Sequence, residues 1–456
     1  MPKKKTALTI EERLQQALVP AEEQPYEVPE NWVWVRLGDV NKYISKSVNP
    51  ISEPDKIFEL YSVPSMVDNY PEIIAGSDIG SSKQSVCKKD VLLCKINPRI
   101  NRVWKVSQFT DNELIASSEW IIIRNNHIDA NYLMYCFQSK YFREFMLSNV
   151  SGVGGSLMRA QPKYVQTYPI PLPPLSEQQR IVERIEELFA KLDEAKERLQ
   201  EVADSFAVRK AAILHKAFTG ELTKQWRREN GVSDESWEEK KLGEVCSVNP
   251  RKIDAKNLDD NLEVSFIPMA AVSDVLGEIV NPEVKNLEDV RTGFTNFAEG
   301  DVIFAKITPC MENGKSAVVG PLLNDIGYGS TEFYVLRCKE ELYNKYLYHM
   351  VRNTTFRAEA KAVMTGAVGQ QRVPKTFLQE YQLLLPSLPE QHEIVRLIDD
   401  LLARERSAQQ AAEQALASID LMKKSILARA FRGELGTNKA SEASVLELLK
   451  QVMAEG

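Results

Sequence analysis

The chain has 456 residues, 43% of them hydrophobic and 27% charged, with a formal net charge of −7. That length usually divides into two or three domains with more than one core. No stretch approaches about 18 uncharged apolar residues, which argues against a membrane span. Six cysteines without a CxxC pair, beside only four histidines, argue against a zinc site.

The opening residues, MPKKKTALTIEERLQQALVP, are basic and then amphipathic, and lack the apolar core and cleavage site of a signal peptide. A cytoplasmic protein with reduced thiols is expected. Residues 31–172 read as a mixed α/β domain. Strands VLLCKI and WIIIR precede a helical stretch, ANYLMYCFQSKYFREFML, and a glycine-rich loop, SGVGGSLMRAQPK. Exposed N–H groups around Gly152, Gly154 and Gly155, with Arg159 and Lys163 beside them, suit phosphate oxygens. An ordinary flexible connection is the competing reading. After the KI strand come Lys95, Asn97, Arg99, Asn101 and Arg102. Arginine and asparagine match guanine and adenine edges in the major groove, and a solvated turn is again the alternative.

Residues 173–222 carry the first long helical segment. Ile181, Ile185, Leu188, Leu192, Ala195, Leu199, Val202 and Phe206 alternate spacings of four and three, a heptad seam. Ser176, with Gln179 three residues on, fits a capping box, and Gly220 is placed to close the helix in the left-handed conformation. Residues 223–236 form a linker.

Residues 237–385 read as a second mixed domain, with strands VIFAKI, SAVVG and FYVLR. Its candidate residues are Lys306, Thr308, Asn313 and Lys315 after the KI strand, and Gly366, Gly369, Gln370, Arg372 and Lys375 around a second glycine loop. The two domains differ in charge, +3 over residues 31–165 against −4 over 237–380. The second is the weaker electrostatic fit to nucleic acid, although local patches decide binding.

Residues 386–435 repeat the helical segment. Ile394, Ile398, Leu401, Ala408, Ala412, Ala415, Ile419, Met422 and Ile426 keep the register, Glu405 interrupts it, Pro389 stands in the first turn, and Gly433 closes the helix. Each helix should run about 40 residues, or roughly 60 Å. The helices could lie on their own domains. The matched seams favour an antiparallel coiled coil that spaces the two domains. Residues 436–456 are a tail, and residues 1–30, without a counterpart in the second half, are expected to contact a partner or close a ring between the chain ends.

Two halves are thus one unit written twice. PPLSEQQRIVERIEELFAKL answers PSLPEQHEIVRLIDDLLARE, and KAAILHKAFTGEL answers KKSILARAFRGEL, both at an offset of 213. ENWVWVRLGDV pairs more weakly with ESWEEKKLGEV. The helical parts are preserved and the globular parts diverge. No GxGxxG, Walker motif, Asn/Asp-Pro-Pro-Tyr segment or convincing nuclease carboxylate–lysine set is present, and no catalytic or metal-ligating residue is assigned.

These helical blocks resemble the specificity subunit of Type I restriction–modification enzymes. The resemblance implies two target recognition domains in tandem, each reading one half of a split, asymmetric site in double-stranded DNA. The coiled coil would set the gap and dock two copies of a modification subunit. That partner would bind S-adenosylmethionine and methylate adenine. This chain would carry no cofactor and no catalysis, and a restriction subunit could join the complex. The alternatives are a coiled-coil scaffold that never touches DNA, a methylation-only complex, and a self-contained methyltransferase or nuclease.

Overall fold

The computed structural model describes residues 9–151, 158–251 and 258–454. It divides into two compact units, Met1–Leu199 with Gln414–Gly456, and Gln200–Glu413. Both cuts fall inside long helices, Leu175–Phe218 and Leu388–Ala430. Each unit therefore holds one globular domain, the start of that domain's own helix and the end of the other helix.

In the first unit, strands Val91–Cys94, Val103–Lys105 and Trp120–Ile123 make an antiparallel sheet with Val91–Cys94 in the centre. The runs VLLC and WIII are buried on both faces. Because side chains alternate across a strand, Val91, Leu93, Ile121 and Ile123 point to one core. Leu92, Cys94, Trp120 and Ile122 point to another. Helices Ala130–Gln138 and Lys140–Ser148 cover the first face through Leu133, Phe137 and Phe142. A five-stranded sheet adjoins the second, with Ile57–Tyr61 parallel to Glu113–Ala116.

The second unit repeats this plan with different residues. Val302–Ala305 lies between Ser316–Val318 and Phe333–Cys338, and Glu263–Ile267 runs parallel to Gly327–Gly329. Val302, Phe304, Tyr334 and Leu336 face one core, and Ile303, Ala305, Phe333 and Val335 the other. A buried aspartate at the start of each central strand repeats as well. Asp90 takes a two-pronged bond from Arg124, and Asp301 from Arg337, at 2.6–2.7 Å. A two-stranded ribbon closes each domain and leads into its helix, Val33–Arg36 with Pro169–Leu172, and Glu238–Lys241 with Gln382–Leu385.

The long helices have 44 and 43 residues. They pair antiparallel. In the first unit Lys423 Nζ reaches Asp193 Oδ1 at 2.5 Å, and in the second Arg209 Nε donates to Glu405 Oε2 at 2.9 Å. The glutamate that interrupts the second seam thus has an inter-helix partner. The contrast between helices packed on domains and helices packed on each other dissolves, because both occur. Ile181 and Ile185 are fully buried in the first domain's core beside Leu427 and Phe431. Ile394 and Ile398 are fully buried in the second beside Leu214 and Ala217. Leu188, Leu192, Leu199, Leu401 and Ile426 are half-buried, and Ile419 is buried. Val202 is 44% exposed and Met422 50%, so the apolar stripe turns outward at those positions. A straight helix at 3.6 residues per turn drifts away from a strict 3.5 repeat.

The helix start differs from the capping-box expectation. Helix begins at Leu175, so Ser176 lies inside it, and Pro174 supplies the carbonyl that receives the N–H groups of Glu177 and Gln178. The stops are glycine-dependent. Gly220 and Gly433 have φ of +76° and +74°. At the second, Glu434 N–H bonds the Arg429 carbonyl and Gly433 N–H the Ala430 carbonyl, the paired Schellman closure. A Cβ at Gly433 would sit 2.4 Å from Pro29 Cγ. At the ends of the first unit, helix Ile10–Ala17 packs on helix Leu446–Ala454, with Ala17, Leu449, Val452 and Met453 in its core.

Candidate nucleic-acid interface

The two segments singled out in each domain come together. In the first, Asn97 N–H bonds the Met158 carbonyl at 2.7 Å, and Ala160 N–H bonds the Lys95 carbonyl at 2.8 Å. In the second, Thr308 N–H bonds the Gln371 carbonyl at 3.0 Å, and Val373 N–H bonds the Lys306 carbonyl at 2.9 Å. A turn after the central strand and the segment after the glycine loop therefore form one paired surface in each domain, although some 60 residues separate them in the chain.

Not every candidate side chain points outward. Lys95 Nζ donates to the Ser118 carbonyl and Lys306 Nζ to that of Thr331, the same brace in both domains. Asn97 takes φ of +46°, as asparagine in a tight turn often does. Its Oδ1 is buried without a partner among the described residues. Asn101 Nδ2 donates to the Gln138 carbonyl, Thr308 Oγ1 to that of Gln371, and Lys315 Nζ to that of Met269. Arg159 pairs with Glu119 at 3.2 Å, and Arg372 pairs with Glu332 through two nitrogens. The Arg372 guanidinium beside Glu332 holds that carboxyl below the ordinary carboxylate range. Such a pair fixes each arginine yet leaves it half-exposed, 51% and 42% by side chain.

The outward-facing members are Arg99, Asn313, Gln370 and Lys375, together with Lys163, whose ammonium lies 4.7 Å from the Tyr164 ring centre. Among the described residues Arg99 makes no ion pair. Arg102 is half-buried, and Gly366 and Gly369 have φ of +126° and +81°. Gly152, Gly154 and Gly155 lie outside the described residues.

Two sets of residues were not anticipated. Arg143 donates to the Pro98 carbonyl and Arg357 to the Glu312 carbonyl, so the same helix in each domain pins the turn after the central strand. The signal was available in "FRE" and "FRA" at matching places. The second set is the dipeptide Glu-Gln at each long-helix start, all four residues at 0% exposure. Glu177 Oε2 accepts from Trp32 Nε1 at 2.8 Å and Asn438 Nδ2 at 2.9 Å. Glu390 Oε1 accepts from Thr223 Oγ1 and Arg227 Nη1, both at 2.6 Å. Gln178 and Gln391 accept the N–H of Asp129 and Tyr343 and donate to the Pro173 and Pro386 carbonyls. These carboxylates lock each helix start to the segment that follows the other helix. Their identity across the 213-residue offset was the clue.

Among the described residues no group of three or more His, Cys, Asp or Glu side chains is placed to hold a metal ion, and no helix is long and apolar enough to cross a membrane.

Two mixed α/β domains, alike in topology and unlike in surface, sharing a pair of antiparallel helices, define a tandem recognition architecture. The chain belongs to the family described as the Type I restriction modification DNA specificity domain, whose sequence model matches residues 29–204 and again 234–415. It is 32% identical over 263 residues to the Type I restriction enzyme EcoEI specificity subunit of Escherichia coli, covering 48% of this chain and 44% of that protein. The EcoAI specificity subunit of the same organism matches to the same extent, so the chain spans less than half the length of these two relatives. It is 24% identical over 340 residues to the StySPI specificity subunit of Salmonella potsdam, covering 71% and 72% of the two chains. The fold is shared with the HsdS subunit from Thermoanaerobacter tengcongensis at a TM-score of 0.66 and 23% identity, over 90% of this chain and 99% of that one.

Proposed function

We propose that the chain is the DNA-recognition subunit of a Type I restriction–modification system. Each globular domain reads one half of a split site, and the helix pair sets the gap between the halves. The observation that carries this reading is the paired-loop surface. It recurs at the same place in both domains, held by the same braces and with an exposed lysine after the same proline, Lys163 and Lys375, while its other outward residues differ. Arg99 is offered by one domain, and Asn313 and Gln370 by the other. A shared frame with different exposed side chains is what reading two different sequences requires.

The reaction chemistry belongs to partners in this reading. Two modification subunits dock on the helices and bring S-adenosylmethionine, and the chain itself aligns them on DNA in the cytoplasm. Footprinting of the chain co-expressed with its modification subunit tests the proposal. Two protected blocks separated by a fixed unprotected gap are expected. A single continuous block, or none at any salt concentration, would contradict it.

A further inference from the structure

The second domain poses an electrostatic problem, since its charge is −4 over residues 237–380. Within the second unit, a cleft of about 940 Å³ opens between that domain and the paired helices. Phe206, Leu214, Ile267 and Leu402 give it apolar walls. It also receives Lys210 from the first long helix, Arg406 from the second, and Lys345 and Arg352 from the domain helix Asn344–Arg352.

The carboxylates that line the cleft are Asp204, Glu278, Asp399 and Glu405. Most have partners. Glu405 accepts from Arg209, Asp399 lies 3.0 Å from His349 Nε2, and Asp204 accepts from Gln200. Among the described residues no carboxylate lies within 4.0 Å of Lys210, Lys345, Arg352 or Arg406. Arg352 spends its guanidinium on the Gly314 and Asp274 carbonyls and lies over the Tyr348 ring, without an ion pair. The Lys210 ammonium is held below the ordinary lysine range, first by desolvation and then by the charges of Arg352, Arg357 and Arg406. Four carboxylates line the cleft with these four cations, and Asp399 also feels Lys345 and Arg406, but none of the cations has a direct ion pair, which leaves them able to meet an incoming anion.

We propose that the sugar–phosphate backbone of the DNA half-site read by the second domain crosses this cleft, with phosphates among Lys210, Arg352 and Arg406. This rests on the reading of the chain as a DNA-recognition subunit. A polyanion fits better than a small enclosed ligand, because Lys210, Lys345 and Arg406 are exposed and come from three different elements. The spacer helices then contribute phosphate contacts as well as length, and the acidic total of the second domain ceases to be an obstacle.

The test is a salt series of DNA binding by fluorescence anisotropy, using the full chain co-expressed with its modification subunit. The double variant Lys210→Ala with Arg406→Ala should reduce the slope of log affinity against log salt by about 2, and weaken cognate and non-cognate DNA alike. Neither side chain makes an ion pair among the described residues, so the melting temperature of the variant should not fall as DNA binding is lost. Wild-type binding with an unaltered slope in the variant would overturn the cleft assignment alone. Absence of wild-type DNA binding at any salt would overturn the recognition reading and this inference with it. A third arm titrates pyrophosphate without DNA. Saturable binding that the double variant abolishes, with the DNA slope unchanged, would assign the cleft to a free anion and overturn the backbone proposal.

Discussion

Glu177 and Glu390 occupy equivalent positions and face different partners, which makes them separable by mutation. Glu390 is joined to Arg227, itself 5% exposed, and this is a buried charge pair. Removing the Glu390 charge leaves Arg227 only the exposed Asp234, 3.1 Å from its Nε, a loss approaching the roughly 3–5 kcal/mol of a broken buried pair. Glu390→Gln should therefore lower the melting temperature strongly. Glu177 meets only neutral donors, so Glu177→Gln, which keeps one acceptor oxygen, should cost about 1 kcal/mol. Equal shifts in calorimetry would refute this division. Glu177 also has a pH signature. Burial raises its carboxyl above the ordinary range, against opposing hydrogen bonds from Trp32 and Asn438. A carboxyl raised in the fold binds its proton more tightly there, so its stabilising contribution is full below the unfolded value. It is lost as pH rises through the folded one. Wild-type stability should thus fall across that window relative to Glu177→Gln, and parallel pH profiles would count against the assignment. Gly433→Ala is a further case at this scale. A positive φ costs a Cβ-bearing residue about 1–2 kcal/mol, and the contact with Pro29 adds to it. At Gly220 the nearest atoms, the Arg227 guanidinium, stand off at 3.3 Å, against 2.4 Å to Pro29 at Gly433, so Gly220→Ala should be milder.

At the level of elements, the helices were legible and their packing only partly so. Heptad spacing and terminal glycines announce a long paired helix. The same apolar spacing serves burial in a domain core and pairing with a helix, so it could not say that Ile185 and Ile398 sit in domain cores while Val202 turns outward. Ile185→Ala and Ile398→Ala should each cost about 2–5 kcal/mol as buried truncations. Val202→Ala should stay within about 0.5 kcal/mol, and a comparable loss there would mean that it is buried after all. In the domains, central strands were visible as apolar runs. That the KI turn and the glycine-loop segment pair with each other was hidden, because backbone hydrogen bonds between distant segments leave no local pattern. The consequence for binding is specific. Arg99 is, among the outward-facing candidates, an exposed arginine without an ion pair among the described residues, free to meet phosphate or base. Arg99→Ala should weaken DNA binding and, if the contact is to phosphate, lower the salt slope by about 1. Unchanged affinity would remove it from the interface.

On the scale of the whole molecule, the repeat at an offset of 213 was readable from sequence alone, and so was the tandem architecture. What sequence did not convey is that each compact unit takes the start of one helix and the end of the other. The reason is physical. Phe431 and Phe218, at the two helix ends, pack on the core of the domain other than the one their helix leaves, against Tyr132 and Tyr346 at 5.3 and 5.2 Å. The tail after Gly433 supplies Asn438 to Glu177, as the linker after Gly220 supplies Thr223 and Arg227 to Glu390. Under the proposed function, helix length is then the variable that sets the distance between the half-sites. The most direct measurement is to insert one heptad into the middle of each long helix, at facing positions, and map the methylated motif by sequencing. Seven residues add about 10 Å of helix, or about three base pairs at 3.4 Å each. The account predicts unchanged half-site sequences with a gap about three base pairs longer. An unchanged gap, or altered half-sites, would contradict it.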